Sequence, residues 1–299
     1  MELNEQQINL QELQQGLKRQ GYIADNRTLQ VLQYSLFLNK PILIEGPAGA
    51  GKTELAKAWS RVLGRTLIRL QCYEGIDEAK ALYEWNYQKQ LLYIQAQGAD
   101  RKLWESAGRN IYTEEFLLPR PLLQAIRQPS PAVLLIDEVD KSDEEFESFL
   151  LEILSDWQVS IPETGTVSAV TIPSVLITSN STRDVSHALR RRCLYLYLDY
   201  PDADRELEIL RLYFPALNET LGRRIVAFVR KLRLEKLKKP PSISEVIDWA
   251  AALTRFKAET LNADLALETL NVLVKYHEDW QKITARIQDK DWFCGISDS

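Results

Sequence analysis

The chain has 299 residues, of which 45% are hydrophobic and 26% charged, and its formal net charge is −5. These values are typical of a globular protein and exclude both a disordered tail and a disulfide-stabilised miniprotein. The length suits one large domain followed by a smaller one. Because a protein that binds duplex DNA through charge is normally basic, nucleic acid is not expected as the main partner.

The cysteines and the N-terminus indicate the compartment in which the protein works. Cys72, Cys193 and Cys294 lie far apart and lack C-x-x-C spacing, which predicts reduced thiols rather than disulfides or a zinc site. The N-terminal stretch is polar and acidic, without a basic-then-apolar signal, and no apolar run approaches the roughly 18 residues that cross a membrane. We therefore expect a cytoplasmic protein that does not enter a membrane.

Short apolar runs alternate with helical patterns over the first two thirds of the chain. Continuous apolar runs suit strands covered on both faces, and strands alternating with helices favour a parallel sheet in an α/β domain. Five strands are predicted, at residues 41–45, 66–71, 132–137, 174–179 and 193–198. The helices predicted between them cover residues 51–63, a region around 79–97, 114–127 and 143–157.

After Pro201 the strand signals stop, and the remaining pattern is helical. Apolar residues at helical spacing predict helices at residues 202–213, 218–237, 244–257 and 265–280. We therefore expect an α/β domain at residues 1–200, a helical domain at 201–289 and a loose polar tail at 290–299.

One loop of the α/β domain is longer than a plain α/β connection requires. Two β-like flanks surround Pro162-Glu163-Thr164-Gly165, which predicts a hairpin at about residues 158–172. Because its tip is polar and contains glycine, we expect the tip to lie outside the core.

A glycine-rich loop follows the first predicted strand and opens a helix. Residues 46–53 match G-x-x-x-x-G-K-[ST] at every fixed position. The glycines allow the loop to aim backbone N–H groups at phosphate oxygens, and the helix N-terminus adds partial positive charge. We expect Lys52 to reach the outer phosphates and the Thr53 hydroxyl to bind Mg²⁺. The predicted nucleotide-binding residues are Gly46, Pro47, Ala48, Gly49, Ala50, Gly51, Lys52, Thr53 and Glu54.

Two carboxylates end the third predicted strand. Asp137, at the carboxyl end of a parallel strand, is positioned to reach Mg²⁺, and Glu138 could orient and deprotonate a water molecule. The pair favours hydrolysis over phosphate transfer to a hydroxyl group, which needs no activated water. Asp140 and the following acidic residues, Asp143, Glu144 and Glu145, are interpreted as a solvated acidic loop.

Polar side chains also follow the fourth strand and precede the fifth. Asn180 could hydrogen-bond the attacking water and sense the γ-phosphate. The run of Arg190, Arg191 and Arg192 precedes the last strand. We interpret Arg190 as surface charge, whereas an arginine at a subunit edge is what a catalytic finger acting on a neighbour would use.

Taken in order, these motifs resemble the AAA+ ATPases, and the resemblance spans residues from about 27 to 288. The amino-acid sequences of residues 81–87, 114–118 and 188–195 are similar to those of the MoxR-type branch, and within it to those of CoxD-like ATPases. The resemblance implies a P-loop NTPase fold, with a five-stranded parallel sheet, helices on both faces and a helical lid. The hairpin then corresponds to a pre-sensor-one insertion, and residues 72–131 have room for a helix-two insertion.

The resemblance also implies roles for individual residues. Lys52 and Thr53 take Walker A roles, Asp137 and Glu138 Walker B roles, and Asn180 the sensor-one role. Arg192 aligns best with the finger and Arg191 second, and Gln71 is a weaker candidate for a polar switch. The usual sensor-two arginine is missing, because residues 241–245 offer Ser244 or Glu245 at its position.

The function implied by the resemblance is Mg-dependent ATP hydrolysis by a homo-oligomeric ring, expected to be a hexamer. Such a ring would remodel a protein client in the manner of a chaperone, maturing or activating a metalloenzyme or other complex, with a von Willebrand factor A domain protein as partner. One alternative is a DNA-associated motor, which the basic stretch 230–239 supports only weakly, since basic residues near a helix C-terminus are favoured by the dipole. A second alternative is a nucleotide-dependent scaffold without turnover, which the intact Glu138 disfavours.

Overall fold

The computed structural model describes residues 9–96 and 111–294, except for the side chains of Lys290 and Cys294. Within that range the chain forms two compact units. The first contains residues 9–16, 24–46, 52–96 and 111–197, and the second contains residues 17–23, 47–51 and 198–294. The main division falls just before the boundary expected at residue 200, and two short segments join the second unit.

A five-stranded parallel sheet forms the centre of the first unit. All five predicted strands are present, and their bounds are β1 Ile42–Glu45, β2 Leu67–Gln71, β5 Val133–Asp137, β8 Ser174–Ser179 and β9 Leu194–Tyr197. They lie side by side in the order β2-β5-β8-β1-β9. Strands β1, β5 and β8 are buried at every position, which explains the continuous apolar run of three or four residues in each.

Helices cover both faces of this sheet. Alternate residues such as Leu134 and Ile136 join one apolar cluster, whereas Val133 and Leu135 are buried on the opposite face. The helices before residue 198 are α1 Leu10–Arg19, α2 Asn26–Leu38, α3 Lys52–Val62, α4 Glu78–Ala81, α5 Tyr87–Ala96, α6 Pro121–Ile126, α7 Glu144–Asp156 and α8 His187–Arg192. Helices α1 and α2 precede residue 41, where the first predicted element begins.

Two antiparallel strand pairs interrupt the α/β pattern. The predicted hairpin is present, with β6 Gln158–Ile161 paired to β7 Gly165–Ser168 and an exposed tip. A second pair, β3 Tyr83–Trp85 and β4 Leu117–Pro119, lies in the region predicted as helical. That prediction was wrong in part, because β3 and β4 pair across a long separation in the chain and because Pro121 starts a new helix after them.

The second unit contains a helical core. Its helices are α9 Ala203–Tyr213, α10 Glu219–Leu234, α11 Ile243–Arg255, α12 Ala263–Leu273, α13 His277–Gln288 and α14 Lys290–Cys294. Phe228 and Trp249 are fully buried there, and the indole N–H of Trp249 donates to the Thr269 hydroxyl at 2.7 Å. The predicted helix at residues 265–280 is two helices that are separated around residues 274–276.

The end of the chain also differs from expectation. Residues 290–294 form α14 rather than a loose tail. Trp292 and Phe293 pack against the buried Phe228, so apolar contact holds this segment to the helical core. Residues 295–299, the rest of the predicted tail, lie outside the described residues.

Two further features concern the described cysteine side chains and the lengths of the helices. Cys72 and Cys193 are free thiols, and burial raises the pKa of each to about 12, so both remain protonated at neutral pH. Over residues 9–96 and 111–294, no helix has the length and apolar character needed to cross a membrane.

Candidate functional site

The glycine-rich loop connects β1 to α3, as the motif predicts. Gly46, Gly49 and Gly51 have φ angles of 151°, 78° and 92°, a region that residues with a Cβ rarely adopt. At Gly49 an added Cβ would lie only 2.1 Å from the Cβ of Ser242, which belongs to the same compact unit. Glycine is therefore required at position 49 both by backbone conformation and by space.

The first two residues of α3 carry the polar side chains of the motif. Lys52 is only 6% exposed, and its Nζ donates to the carbonyl oxygen of Gly46 at 2.6 Å. Burial lowers the pKa of Lys52, while nearby carboxylates, chiefly that of Asp140, oppose this effect. The Thr53 hydroxyl lies 3.2 Å from both carboxylate oxygens of Asp137. The loop thus places a cation and a hydroxyl beside the predicted carboxylates.

Asp137 is the last residue of β5 and is 2% exposed. Its Oδ1 accepts a hydrogen bond from the Thr178 hydroxyl at 2.5 Å. Its Oδ2 accepts two hydrogen bonds from the Arg69 guanidinium, at 3.0 Å from Nε and 2.6 Å from Nη2. Carboxylate and hydroxyl oxygens are the donors that Mg²⁺ prefers, so Asp137 and Thr53 are suited to hold that ion.

Glu138 has a φ of 59° and a ψ of 50°, a left-handed conformation that is strained for a residue with a side chain. Its backbone N–H donates to the Thr178 hydroxyl at 2.9 Å. Its Oε2 accepts from Gln71 Nε2 at 2.8 Å and from Lys141 Nζ at 2.5 Å, and its Oε1 accepts from Asn180 Nδ2 at 3.3 Å. The structure therefore brings three predicted site residues, Glu138, Asn180 and Gln71, into direct contact.

The interpretation of Asp140 as a solvated loop residue is wrong. Asp140 is 4% exposed, and its carboxylate accepts from the backbone N–H groups of Asn180 and Thr182 at 3.1 Å each. Burial alone would raise the pKa of Asp140, but the hydrogen bonds from Thr182 and Asn180 outweigh it and hold that pKa below its ordinary value. Asp140 thus fixes the loop that carries Asn180. Asp143 caps α7 through the backbone N–H of Phe146.

The three arginines of α8 have different environments. Arg190, interpreted as surface charge, instead pairs with the buried carboxylate of Glu45, with Nη2 at 2.6 Å from Oε1. Arg191 and Arg192 are exposed at the end of the helix. Arg192 Nε donates to the Ser155 hydroxyl at 2.5 Å. Of these three arginines, Arg191 and Arg192 are therefore the ones whose guanidinium groups another molecule can reach.

The start of α11 contains the position at which the resemblance would place a sensor-two arginine. Glu245 is 9% exposed and accepts from the Ser242 backbone N–H at 2.9 Å and from Lys239 Nζ at 2.9 Å. Burial, which raises the pKa of Glu245, is outweighed by hydrogen bonds from Lys239 and Ser242, so that pKa falls to about 2. Glu245 therefore acts as a charged helix cap, and Ser244 is exposed.

Comparison with known families identifies the fold around this site. Residues 41–193, just over half of the chain, match the family described as AAA domain (dynein-related subfamily). The chain belongs to that family. ATP hydrolysis is accordingly its activity, and the matched range contains the loop, both carboxylates, Asn180 and the three arginines.

Several curated proteins are similar to this AAA chain over most of its length. Protein NorQ of Paracoccus denitrificans is 25% identical over 256 residues, which cover 83% of this chain and 84% of NorQ. Denitrification regulatory protein NirQ of Pseudomonas aeruginosa is 24% identical, with 71% of this chain and 74% of NirQ covered. Gas vesicle ATPase GvpN of Haloferax mediterranei is 22% identical, with 91% and 80% covered.

Solved structures of Thermotoga maritima RuvB share the fold of this AAA chain. A point mutant of that protein superposes with a TM-score of 0.51 at 17% identity, covering 92% of this chain and 76% of RuvB. At this identity the likeness concerns the fold alone. It agrees with the predicted P-loop architecture of a parallel sheet followed by a helical region.

Arg69 and Thr178 were missed by sequence reasoning, although both contact Asp137. The signal that could have found them is strand register. In the parallel sheet Gln71 lies opposite Asp137, and Arg69 is two residues earlier on the same face of β2. Thr178 is buried near the end of β8, the strand beside β5. Polar residues near the carboxyl ends of neighbouring strands meet at one sheet edge.

Proposed function

We propose that this ATPase works as a homo-oligomeric ring of the MoxR type, in which ATP hydrolysis drives the remodelling of a protein client. The observation that carries the chemical part is the cluster around the two carboxylates. Thr53 lies 3.2 Å from Asp137, and Asn180 lies 3.3 Å from Glu138. In this arrangement Lys52 binds the outer phosphates, and Glu138 accepts the proton of the attacking water that Asn180 orients.

A magnesium ion completes the proposed site. Asp137 and Thr53 supply hard oxygen donors close together, and few protein ligands are needed because Mg²⁺ usually keeps several waters and binds phosphate oxygens. When bound, the ion would neutralise charge on the phosphates. The chain's own part is to hold Asp137 in place, which Thr178 does from the neighbouring strand.

The relatives support the remodelling role. NorQ, NirQ and GvpN match this chain over most of their lengths, and GvpN is itself named an ATPase. From the similarity to these relatives we infer a chaperone-like action, in which the ATPase matures or activates a metalloenzyme or other protein complex. The finer assignment to CoxD-like ATPases, the hexameric ring and a von Willebrand factor A domain partner belong to the same proposal and rest on the sequence resemblance.

Charge argues for a protein client over DNA. Three of the six basic residues in the stretch 230–239 pair with carboxylates within the helical unit. Arg233 pairs with buried Glu206, and Lys238 and Lys239 pair with Glu278 and Glu245. A DNA-binding surface needs basic side chains that are free to reach phosphates.

The test is a comparison of Glu138→Gln with the exposed carboxylate variant Glu145→Gln. The amide cannot accept the proton of water, so Glu138→Gln should bind ATP normally but lose about 10²- to 10⁴-fold in turnover. Glu145→Gln should hydrolyse ATP like the wild type. Normal ATP turnover in Glu138→Gln would show that Glu138 is not the group that accepts the proton of the attacking water.

The Glu138→Gln variant also tests whether the ATPase acts on a protein client. Glu138→Gln loaded with ATP should retain a protein client during purification, and ADP should release it. Stimulation of the wild-type rate by duplex DNA, with a steep loss at higher salt, would instead favour the motor.

A further inference from the structure

Arg69 lies on β2 and binds the carboxylate that is suited to hold the metal. Both Nε and Nη2 donate to the same oxygen, Asp137 Oδ2, at 3.0 and 2.6 Å. The other oxygen accepts from Thr178, and Thr53 lies 3.2 Å from both. A carboxylate oxygen has only two lone pairs, so Arg69 occupies the positions on Oδ2 through which a cation would bind.

Arg69 also contacts the residue that holds Glu138. Its Nη2 donates to Gln71 Oε1, and Gln71 Nε2 donates to Glu138 Oε2 at 2.8 Å. An amide accepts through oxygen and donates through nitrogen, so the bond from Arg69 fixes which end of Gln71 faces Glu138. The four side chains form one continuous hydrogen-bonded chain, Asp137–Arg69–Gln71–Glu138.

The exposure of these groups indicates which member can move. Asp137 is buried, with 3% of its side chain exposed, whereas 48% of the Arg69 side chain is exposed. β2 is an edge strand, so Arg69 can turn into solvent without disrupting the sheet. A half-exposed guanidinium is rehydrated when it leaves its partner, so little free energy opposes the exchange. A divalent cation at Asp137 would also repel the guanidinium.

We propose that Arg69 is a positioning residue that couples metal binding at Asp137 to the release of Glu138. This inference rests on the roles proposed above for Asp137 and Glu138. Arg69 leaves Asp137 Oδ2 when a divalent cation binds there. Gln71 then loses the hydrogen bond that orients its amide, and Glu138 loses one of the donors on Oε2. The freed lone pair of Glu138 is the one that can accept the proton of water.

The test measures metal affinity apart from turnover. Mn²⁺ replaces Mg²⁺, and free Mn²⁺ is followed by electron paramagnetic resonance in the presence of a non-hydrolysable ATP analogue. Arg69→Gln removes the competing cation, so the dissociation constant of Mn²⁺ should fall about 3- to 10-fold. Arg69→Lys keeps the charge and should stay near the wild-type affinity. Arg61→Gln, the same charge change at an exposed position of α3, should match the wild type.

A second variant tests the Gln71–Glu138 end of this hydrogen-bonded chain separately from its metal-binding end. Gln71→Ala leaves Arg69 on Asp137, so Mn²⁺ affinity should not change. At saturating Mg²⁺ the bound metal has already released Glu138, so ATP turnover should not rise, and a rise of several fold would mean that Gln71 still restrains Glu138 with the metal in place. Unchanged or weaker Mn²⁺ binding in Arg69→Gln would overturn the inference, as would an equal shift in affinity in Gln71→Ala. Absence of ATP hydrolysis in the wild-type protein would instead refute the proposed function.

Discussion

Arg190 and Glu45 form a two-point ion pair at the end of the strand that leads into the phosphate loop. Nη2 lies 2.6 Å from Oε1 and Nη1 lies 3.2 Å from Oε2, and the Glu45 side chain is only 7% exposed. This paired, planar geometry is one that arginine forms and lysine cannot. The first arginine of the triple therefore anchors α8 to β1, and the next two remain available at the end of that helix.

Arg190→Gln should destabilise the protein, because it leaves a buried carboxylate without its cation. Complete burial would give a loss of about 3–5 kcal/mol, and the partial exposure of Arg190 reduces the expected loss to about 1–3 kcal/mol. Urea unfolding of the whole protein measures this change in the free energy of unfolding. The exposed Arg191→Gln should shift stability by less than about 0.5 kcal/mol. Equal stabilities of the two variants would mean that the ion pair contributes nothing.

The contrast among these arginines shows what the sequence could and could not reveal. The five strands and the phosphate loop were predictable, because continuous apolar runs and a fixed motif are local signals. Arg190, Asp140 and Arg69 were misjudged or missed because their partners are distant in sequence and depend on strand register. The β3–β4 pair was read as helix for the same reason, since the two strands are far apart in the chain.

Glu245 should make the helical unit sensitive to acid. Its folded-state pKa of about 2 lies below the ordinary value of 4.5, so its stabilising contribution is complete above pH 4.5 and is lost as the pH falls toward 2. Between pH 5 and pH 3 the free energy of unfolding should fall by about 1–2 kcal/mol through this group. Glu245→Gln should flatten that part of the pH profile, whereas Glu259→Gln, at an exposed position, should not. Identical profiles for wild type and Glu245→Gln would contradict the assignment.

The tip of the β6–β7 hairpin is expected to act on the client and not on the nucleotide. Glu163 and Thr164 are exposed, whereas Ile161 is 1% exposed and belongs to the core, so changes should be confined to the tip. Replacing both tip residues by serine should preserve folding and basal ATP turnover but weaken client retention by Glu138→Gln. Thr166→Ser, on the adjoining strand, serves as the control. Normal client retention by the tip variant would place the working surface elsewhere.

Arg192 is the best candidate for a residue that acts on a neighbouring subunit. It ends α8, is exposed, and donates hydrogen bonds to the Ser155 hydroxyl and the Ala188 carbonyl. Its removal should leave the fold intact, in contrast to that of Arg190, because neither bond satisfies a buried charge. A guanidinium beside the γ-phosphate stabilises the charge that develops on the transferred oxygens, an effect on the order of 10³- to 10⁵-fold in related nucleotide hydrolases. Arg192→Ala should bind ATP normally and hydrolyse it poorly, and Arg61→Ala should resemble the wild type.

Mixing two inactive variants decides whether Arg192 serves its own subunit or the next one. An Arg192→Ala subunit has a complete phosphate loop but no finger, and a Lys52→Ala subunit has the finger but a damaged loop. In co-assembled rings the second should supply its arginine to the first, so ATP hydrolysis should return to an intermediate level that depends on the mixing ratio. Sizing by light scattering establishes that the two variants co-assemble. If co-assembled mixtures stay inactive, Arg192 acts within its own chain, and Arg191, the other exposed arginine of α8, becomes the residue to test in the same way.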